Sequence, residues 1–141
     1  PDDPPVPEPL GGVARIVSTL EDYERTFAMA PSDSHVMLLC QGCVAEMGVD
    51  VCAAIRRMGT LGKIAYVHFR NIRGTPKHFK EVFVDEGDVD MLEAMKAYRE
   101  VGFKGPFMMD HTPRFAQEGA GAAGRAYAVG YIRALMQAVY V

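Results

Sequence analysis

Cys40, His68 and the adjacent pair Asp110 and His111 are the residues of this chain best suited to carry chemistry. Each sits where a short apolar run gives way to polar residues, in "SHVMLLCQG", "KIAYVHFRN" and "PFMMDH". A thiolate, an imidazole and a carboxylate are the S, N and O donors that zinc, manganese or iron accepts. His111, next to Asp110, sets an acid/base group beside a candidate ligand. Every one of them also has an ordinary reading. A strand-end cysteine packs as a small apolar residue, a histidine satisfies structural hydrogen bonds, and Asp-His caps a turn.

The neighbouring motifs are less pointed. "CQGC" at Cys40 to Cys43 has the C-x-x-C spacing of zinc knuckles and thiol redox sites, but no second C-x-x-C and no H-x-x-x-H accompanies it. The redox reading is the lesser one, since it needs two low-pKa thiols at a helix start. Three cysteines, Cys40, Cys43 and Cys52, are an odd count within one short region and read as reduced thiols. Arg70 and Arg73 follow His68 in "HFRNIRGT", where guanidinium groups either hold a carboxylate substrate or simply solvate a loop. His35 and His78 have no partner nearby in sequence and read as surface residues.

These positions require elements to bring them together. "STLEDYERTFAMA" predicts a helix capped by Ser18 or Thr19, with Glu21 and Asp22 in its first turn and Pro31 at its end. "VARIVS" before it is a short strand or a loop. "MGVDVCAAIRRMGTLG" has helical spacing at Val51, Ala54, Ile55 and Met58. "FKEVFVDEGDVD" predicts another extended piece, and "DVDMLEAMKAYREVGFKG" a helix capped by Asp88, with Met91, Leu92, Met95, Tyr98 and Val101 on one face and Gly102 closing it. A last helix is expected from Gly124 to Val141, interrupted at Gly130. Alternating strands and helices with nearly continuous apolar strands imply an α/β fold with parallel strands. Doubly wound sheets and (β/α) barrels share this pattern, and both place active sites at the carboxyl ends of the strands.

Composition narrows the function. The 141 residues are 49% hydrophobic and 23% charged, enough for one domain with a core. The net charge of -3, with charges interspersed, gives no nucleic-acid footprint and no basic membrane face. No apolar run approaches a membrane span and no signal core is evident, so the expected location is the cytoplasm.

The stretch "HFRNIRGTPKHFKEVFVDEGDVDMLEAMKAYREVGFKGPFMMDHTP" resembles the mannonate dehydratases, enzymes of sugar-acid catabolism. "PDDPP" with "LGG", "CQG" with "AEMG", and "GRAYAVGYIRAL" also look like segments of that family, so the likeness spans essentially the whole chain. The resemblance implies a TIM barrel of the xylose-isomerase-like kind, of which about three to four βα units would be present here. It implies metal-dependent removal of water from D-mannonate to give 2-keto-3-deoxy-D-gluconate, with manganese or another divalent ion. On the matching positions Cys40, His68 and Asp110 would be metal ligands and His111 a catalytic acid/base; Arg70 is a further candidate, for the substrate carboxylate.

Two departures accompany the likeness. The family's fourth ligand, a histidine, comes immediately before "PDDPP", and the chain begins at Pro1. A family tyrosine expected shortly before "GR" is replaced by alanine in "EGAGAAGRAY", and Tyr127 lies on a different register. Residues 1–141 are therefore expected to be the carboxyl-terminal part of a single TIM-barrel domain, weak or inactive alone, acting as a homo-oligomer or with the missing barrel half. The competing expectations are a sugar isomerase or epimerase of the same barrel class, and an inactive fragment or interaction module.

Overall fold

The computed structural model describes residues 2–6, 8–75, 77–113, 116 and 119–141. Pro1 and Pro7 of the opening loop and Glu118 of the Gly/Ala-rich stretch lie outside them. The first helix, α1 (Leu20–Met29), starts with a capping box: Thr19 Oγ1 accepts from the Asp22 N–H at 3.1 Å, and the Asp22 carboxylate accepts from the Thr19 N–H at 3.2 Å. Its periodicity turns Leu20, Tyr23 and Phe27 into the core. "VARIVS" forms no strand; Val13 makes one isolated bridge to Leu10.

The apolar runs then alternate with helices as expected. Strand β1 (Met37–Cys40) is followed by a short helix α2 (Gln41–Glu46) that the sequence reading did not separate from it, and by α3 (Val51–Thr60). Val51, Ala54, Ile55 and Met58 are all buried on α3, whose N-cap Asp50 accepts from the Ala53 N–H at 3.0 Å. Strand β2 (Ile64–His68) pairs with β1 in parallel, and a third parallel strand, only two residues long (Phe107–Met108), pairs with β2 on its other side. The β1–β2 ladder is not regular. Met37 is opposite Ile64 but Leu38 is opposite Tyr66, so Ala65 is an extra residue in β2, and the shifted register sets Cys40 opposite His68.

Between β2 and the next helix the chain makes an excursion. Ile72–Thr75 (β3) and His78–Glu81 (β4) form an antiparallel hairpin separate from the parallel sheet, with Ile72 opposite Glu81. The Phe107–Met108 strand is therefore β5. The expectation of one extended piece over "FKEVFVDEGDVD" is corrected: only its start is strand, and residues 82–90 form a turning loop. The helix that follows, α4 (Met91–Glu100), is capped by Asp90 rather than Asp88, because the Asp90 carboxylate accepts from the Leu92 and Glu93 N–H groups while Asp88 Oδ2 accepts from Gly74 N–H. Leu92 is exposed; the buried face is Met91, Ala94, Met95, Ala97 and Tyr98, since small alanines share the helix-packing surface. The last helix, α5 (Ala120–Val139), begins four residues before the expected Gly124 and runs through Gly130, where a side chain would meet nothing.

Leu39 and Val67, fully buried, lie in the same core cluster as Ile55 and Met58 of α3 and Met95 and Tyr98 of α4. Their strand neighbours Leu38, Tyr66 and His68 point to the opposite face, by the alternation of a strand, and are only half-buried. The sheet thus has one covered face and one open face. No helix among the described residues is long and apolar enough to cross a membrane.

Candidate metal centre

The three candidate ligands converge. Cys40 ends β1, His68 ends β2 and Asp110 lies two residues beyond β5, so three neighbouring strands deliver one donor each to the same rim. Their donor atoms all lie within 4.8 Å of one another. Asp110 Oδ2 is 3.4 Å from His68 Nδ1 and 4.0 Å from Cys40 Sγ. Donors sharing one ion at bond lengths of about 2.0–2.3 Å must stand roughly 3–4 Å apart, so the set fits a divalent metal. The rim opens into a cleft of about 540 Å³ lined by Asp3, Leu38, Cys40, Cys43, His68, Asp110 and His111.

Asp110 reaches this position through an unusual backbone. Its φ of 64° makes it the one non-glycine residue with positive φ among those described. Aspartate tolerates the left-handed region better than most side chains. The turn it makes sets His111 on the rim, half exposed, with Nε2 3.3 Å from Asp110 Oδ2.

Cys40 is held as a thiolate by its surroundings. The Cys43 thiol donates to it, and this outweighs the burial that opposes charge; with the Cys43 backbone N–H and the Arg70 charge, the Cys40 pKa is pulled down to about 6. Cys43 accordingly keeps its proton, its own pKa driven up by that donation and by burial. The C-x-x-C motif thus divides into one anionic donor and one thiol that supports it, and all three cysteines are free.

Arg70 lies beneath the site instead of facing the cleft. Only 3% of its side chain is exposed. It grips Glu81 through Nε at 3.0 Å and Nη2 at 2.9 Å, and Nη2 also stands 2.9 Å from Glu46 Oε1. Its Nη1 is 3.5 Å from Asp3 Oδ2, 3.8 Å from Cys43 Sγ and 4.0 Å from Cys40 Sγ. Gly42 makes room: a Cβ there would fall 2.7–2.9 Å from the guanidinium arm. Burial opposes the Arg70 charge, but the hydrogen bonds and charge of Glu81, with Glu46, more than offset it and push its pKa further up. Asp3, Cys43 and Glu46 also have donor atoms within 4.8 Å of one another. Arg70 touches all three, so the cation of that second cluster is the guanidinium itself. Glu46 is fully buried, shares this one guanidinium with Glu81, and has no aligned hydrogen bond; desolvation pushes its pKa up to about 8.

The rest of "HFRNIRGT" is now accounted for. Phe69 is fully buried in the core. Asn71, also buried, donates to Val84 O and Val89 O at 3.0 Å each, and its Oδ1 accepts from Val89 N–H at 3.1 Å, pinning the loop that returns from the hairpin. Arg73 is exposed and donates to the Glu86 carbonyl, away from the cleft lining. His35 contacts Ala30 O and the Phe27 ring, His78 is exposed on β4, and Tyr127 donates to Asp85 at 2.6 Å. None of these joins the site. Glu81, Glu46 and Asp3 do; Asp3 lies in a proline-rich run and Glu81 close to an acidic one, both surface-like, while Glu46 is a single acid within the apolar stretch "CVAEMG" with no motif around it.

A profile of the D-mannonate dehydratase (UxuA) family matches residues 1–141. The chain belongs to the mannonate dehydratase family. It is 34% identical over 147 aligned positions to mannonate dehydratase 2 of Halalkalibacterium halodurans, an alignment covering 99% of this chain and 42% of that protein. With a mannonate dehydratase of Streptococcus agalactiae the identity is 36%, with the same coverage. The crystal structure of mannonate dehydratase from Streptococcus suis serotype 2 superposes with a TM-score of 0.81 at 25% identity, over 94% of this chain and 40% of that one. The mixed α/β fold is therefore a family fold. The chain spans less than half the length of the curated family members it matches.

Proposed function

We propose that this chain is the metal-binding, carboxyl-terminal part of a mannonate dehydratase, folded as part of a (β/α) TIM barrel. The observation that carries this reading is the convergence of Cys40, His68 and Asp110 from three successive parallel strands, with His111 beside them. The open face of the sheet, bearing Leu38, Tyr66 and His68, is the barrel interior in this reading. The strands β1 and β5 each have one edge unpaired among those described, and the remaining barrel strands, from further chain or by association, would complete them. The free thiols suit the reducing cytoplasm.

Cys40, His68 and Asp110 would hold a divalent ion, manganese in the first instance. When bound, the ion supplies Lewis acidity to oxygens of the sugar acid, which eases loss of the weakly acidic C2 proton. His111, half exposed at the cleft, takes up the C2 proton at its free ring nitrogen and gives it to the departing C3 hydroxyl, which leaves as water, and the enol that remains tautomerises to the 2-keto-3-deoxy acid. Arg70 is not assigned to the substrate carboxylate, because its guanidinium is committed to Glu81 and Glu46. Its place in this reading is to keep negative charge compact behind Cys40.

The test has two parts. Calorimetric titration with manganese should show one binding event that the Cys40→Ala, His68→Ala and Asp110→Asn variants each weaken; heat no greater than that of the triple variant would defeat the metal site. Mannonate incubated with the protein, extended to the length of its relatives, should yield a 2-keto-3-deoxy acid. An epimer or ketose as product would move the protein to the isomerase class.

A further inference from the structure

Among the described residues, Glu81 is the one carboxylate that contacts both Arg70 and His111. Its Oε2 accepts from Arg70 Nη2 at 2.9 Å and stands 3.2 Å from His111 Nδ1. The other ring nitrogen of His111, Nε2, is 3.3 Å from Asp110 Oδ2. The imidazole is therefore clasped between two carboxylates, with Nδ1 turned to Glu81 and Nε2 toward the metal-binding rim. Glu81 reaches this place only because the hairpin lies outside the parallel sheet and its register sets Glu81 against Ile72, whose side chain is buried at the root of the excursion. Arg70 fixes the carboxylate by a fork of bonds, and Gly42 leaves the space that the fork needs.

We infer that Glu81 is a positioning residue for His111: its carboxylate accepts the Nδ1 proton, fixes the ring orientation and leaves Nε2 as the nitrogen that faces substrate. The inference rests on the acid/base role given to His111 above. A carboxylate behind an imidazole selects one tautomer and one orientation, as orienting acids do in other sites. Arg70 in turn holds the Glu81 carboxylate in place, so the chain Arg70, Glu81, His111 is one continuous device built from the strand end and the hairpin.

The experiment compares Glu81→Gln and Glu81→Asp with the parent chain. In the zinc-loaded 141-residue chain, chosen because zinc is diamagnetic, nitrogen-15 spectra of the histidine rings should show His111 in a single Nδ1–H form. In Glu81→Gln, Oε1 stays with Arg70 and the amide NH₂ faces His111, so the ring should reverse to Nε2–H or become a mixture. Glu81→Asp keeps a charge for Arg70 but falls short of the ring, and should release it likewise. Zinc affinity should change less than threefold in both. In the protein extended to family length, kcat on mannonate should fall at least tenfold with KM within threefold, and Glu81→Gln should add nothing to the loss caused by His111→Ala. An unaltered His111 ring state in both variants, or losses that multiply in the double variant, overturns the inference. Ring reversal in the Glu81 variants of a protein whose parent never turns over mannonate would leave the positioning role standing and remove the dehydratase reading instead.

Discussion

At the scale of single residues the site depends on an uneven division of charge between two thiols. Removing Cys43 takes away the donor that keeps Cys40 anionic, so Cys43→Ala should lower manganese affinity by roughly 10–100-fold although Cys43 itself is no ligand in our reading. Alkylation of the metal-free chain by iodoacetamide should report the same asymmetry: Cys40 reacts with a midpoint near its lowered pKa of about 6, and in Cys43→Ala the midpoint moves up. The linked stabilities have opposite signs. Cys40 binds its proton more weakly in the folded state, so its contribution is full above the ordinary thiol value of 9.0 and is lost as pH falls toward 6. Glu46 binds its proton more tightly when folded, so its contribution is full below 4.5 and is lost as pH rises through 8. Glu46→Gln should therefore be more stable than the parent at pH 9 and close to it at pH 5, by urea unfolding at the two values.

At the scale of elements, caps and close approaches set what the helices tolerate. Thr19→Ala removes half of the α1 capping box and should cost about 1 kcal/mol in urea unfolding. Gly59 of α3 faces Val101 at the end of α4, where any Cβ would collide with the valine side chain, so Gly59→Ala should cost roughly 1–3 kcal/mol. The parallel strands and the α3 and α4 faces were legible because their apolar runs are uninterrupted and each strand run gives way to polar residues at or just beyond its end. That rule also placed Cys40, His68 and Asp110. The hairpin was only half legible: residues 79–81 fall at the start of the extended piece expected over "FKEVFVDEGDVD", but "IRGT" is short and mostly exposed, and nothing in its pattern marks it as the partner strand. Without the hairpin pairing, the approach of Glu81 to the site was hidden. Asp88 and Asp90 are equally good caps in one dimension, and only the contact of Asp88 with Gly74 decides between them. Leu92 reads as core by type, but Ala94 and Ala97 allow the closer packing that leaves it outside.

At the scale of the whole molecule, the proposed ion, held by three strand ends, would tie together segments far apart in sequence. It would bind the folded chain and not the unfolded one, so manganese at about 100 times its dissociation constant should add ~2.7 kcal/mol and raise Tm, an effect absent in Cys40→Ala. Differential scanning calorimetry with and without chelator measures it. The one-residue irregularity at Ala65 bears on whether that ion can bind at all. Were the ladder to run on regularly from Met37 and Ile64, Cys40 would stand against Val67, whose side chain belongs to the covered core, and the imidazole would fall one step beyond the thiolate. Ala65 thus acts as a spacer that phases two strands, and the proposed ion, taking sulfur from one and nitrogen from the other, would check that phase each time the protein folds.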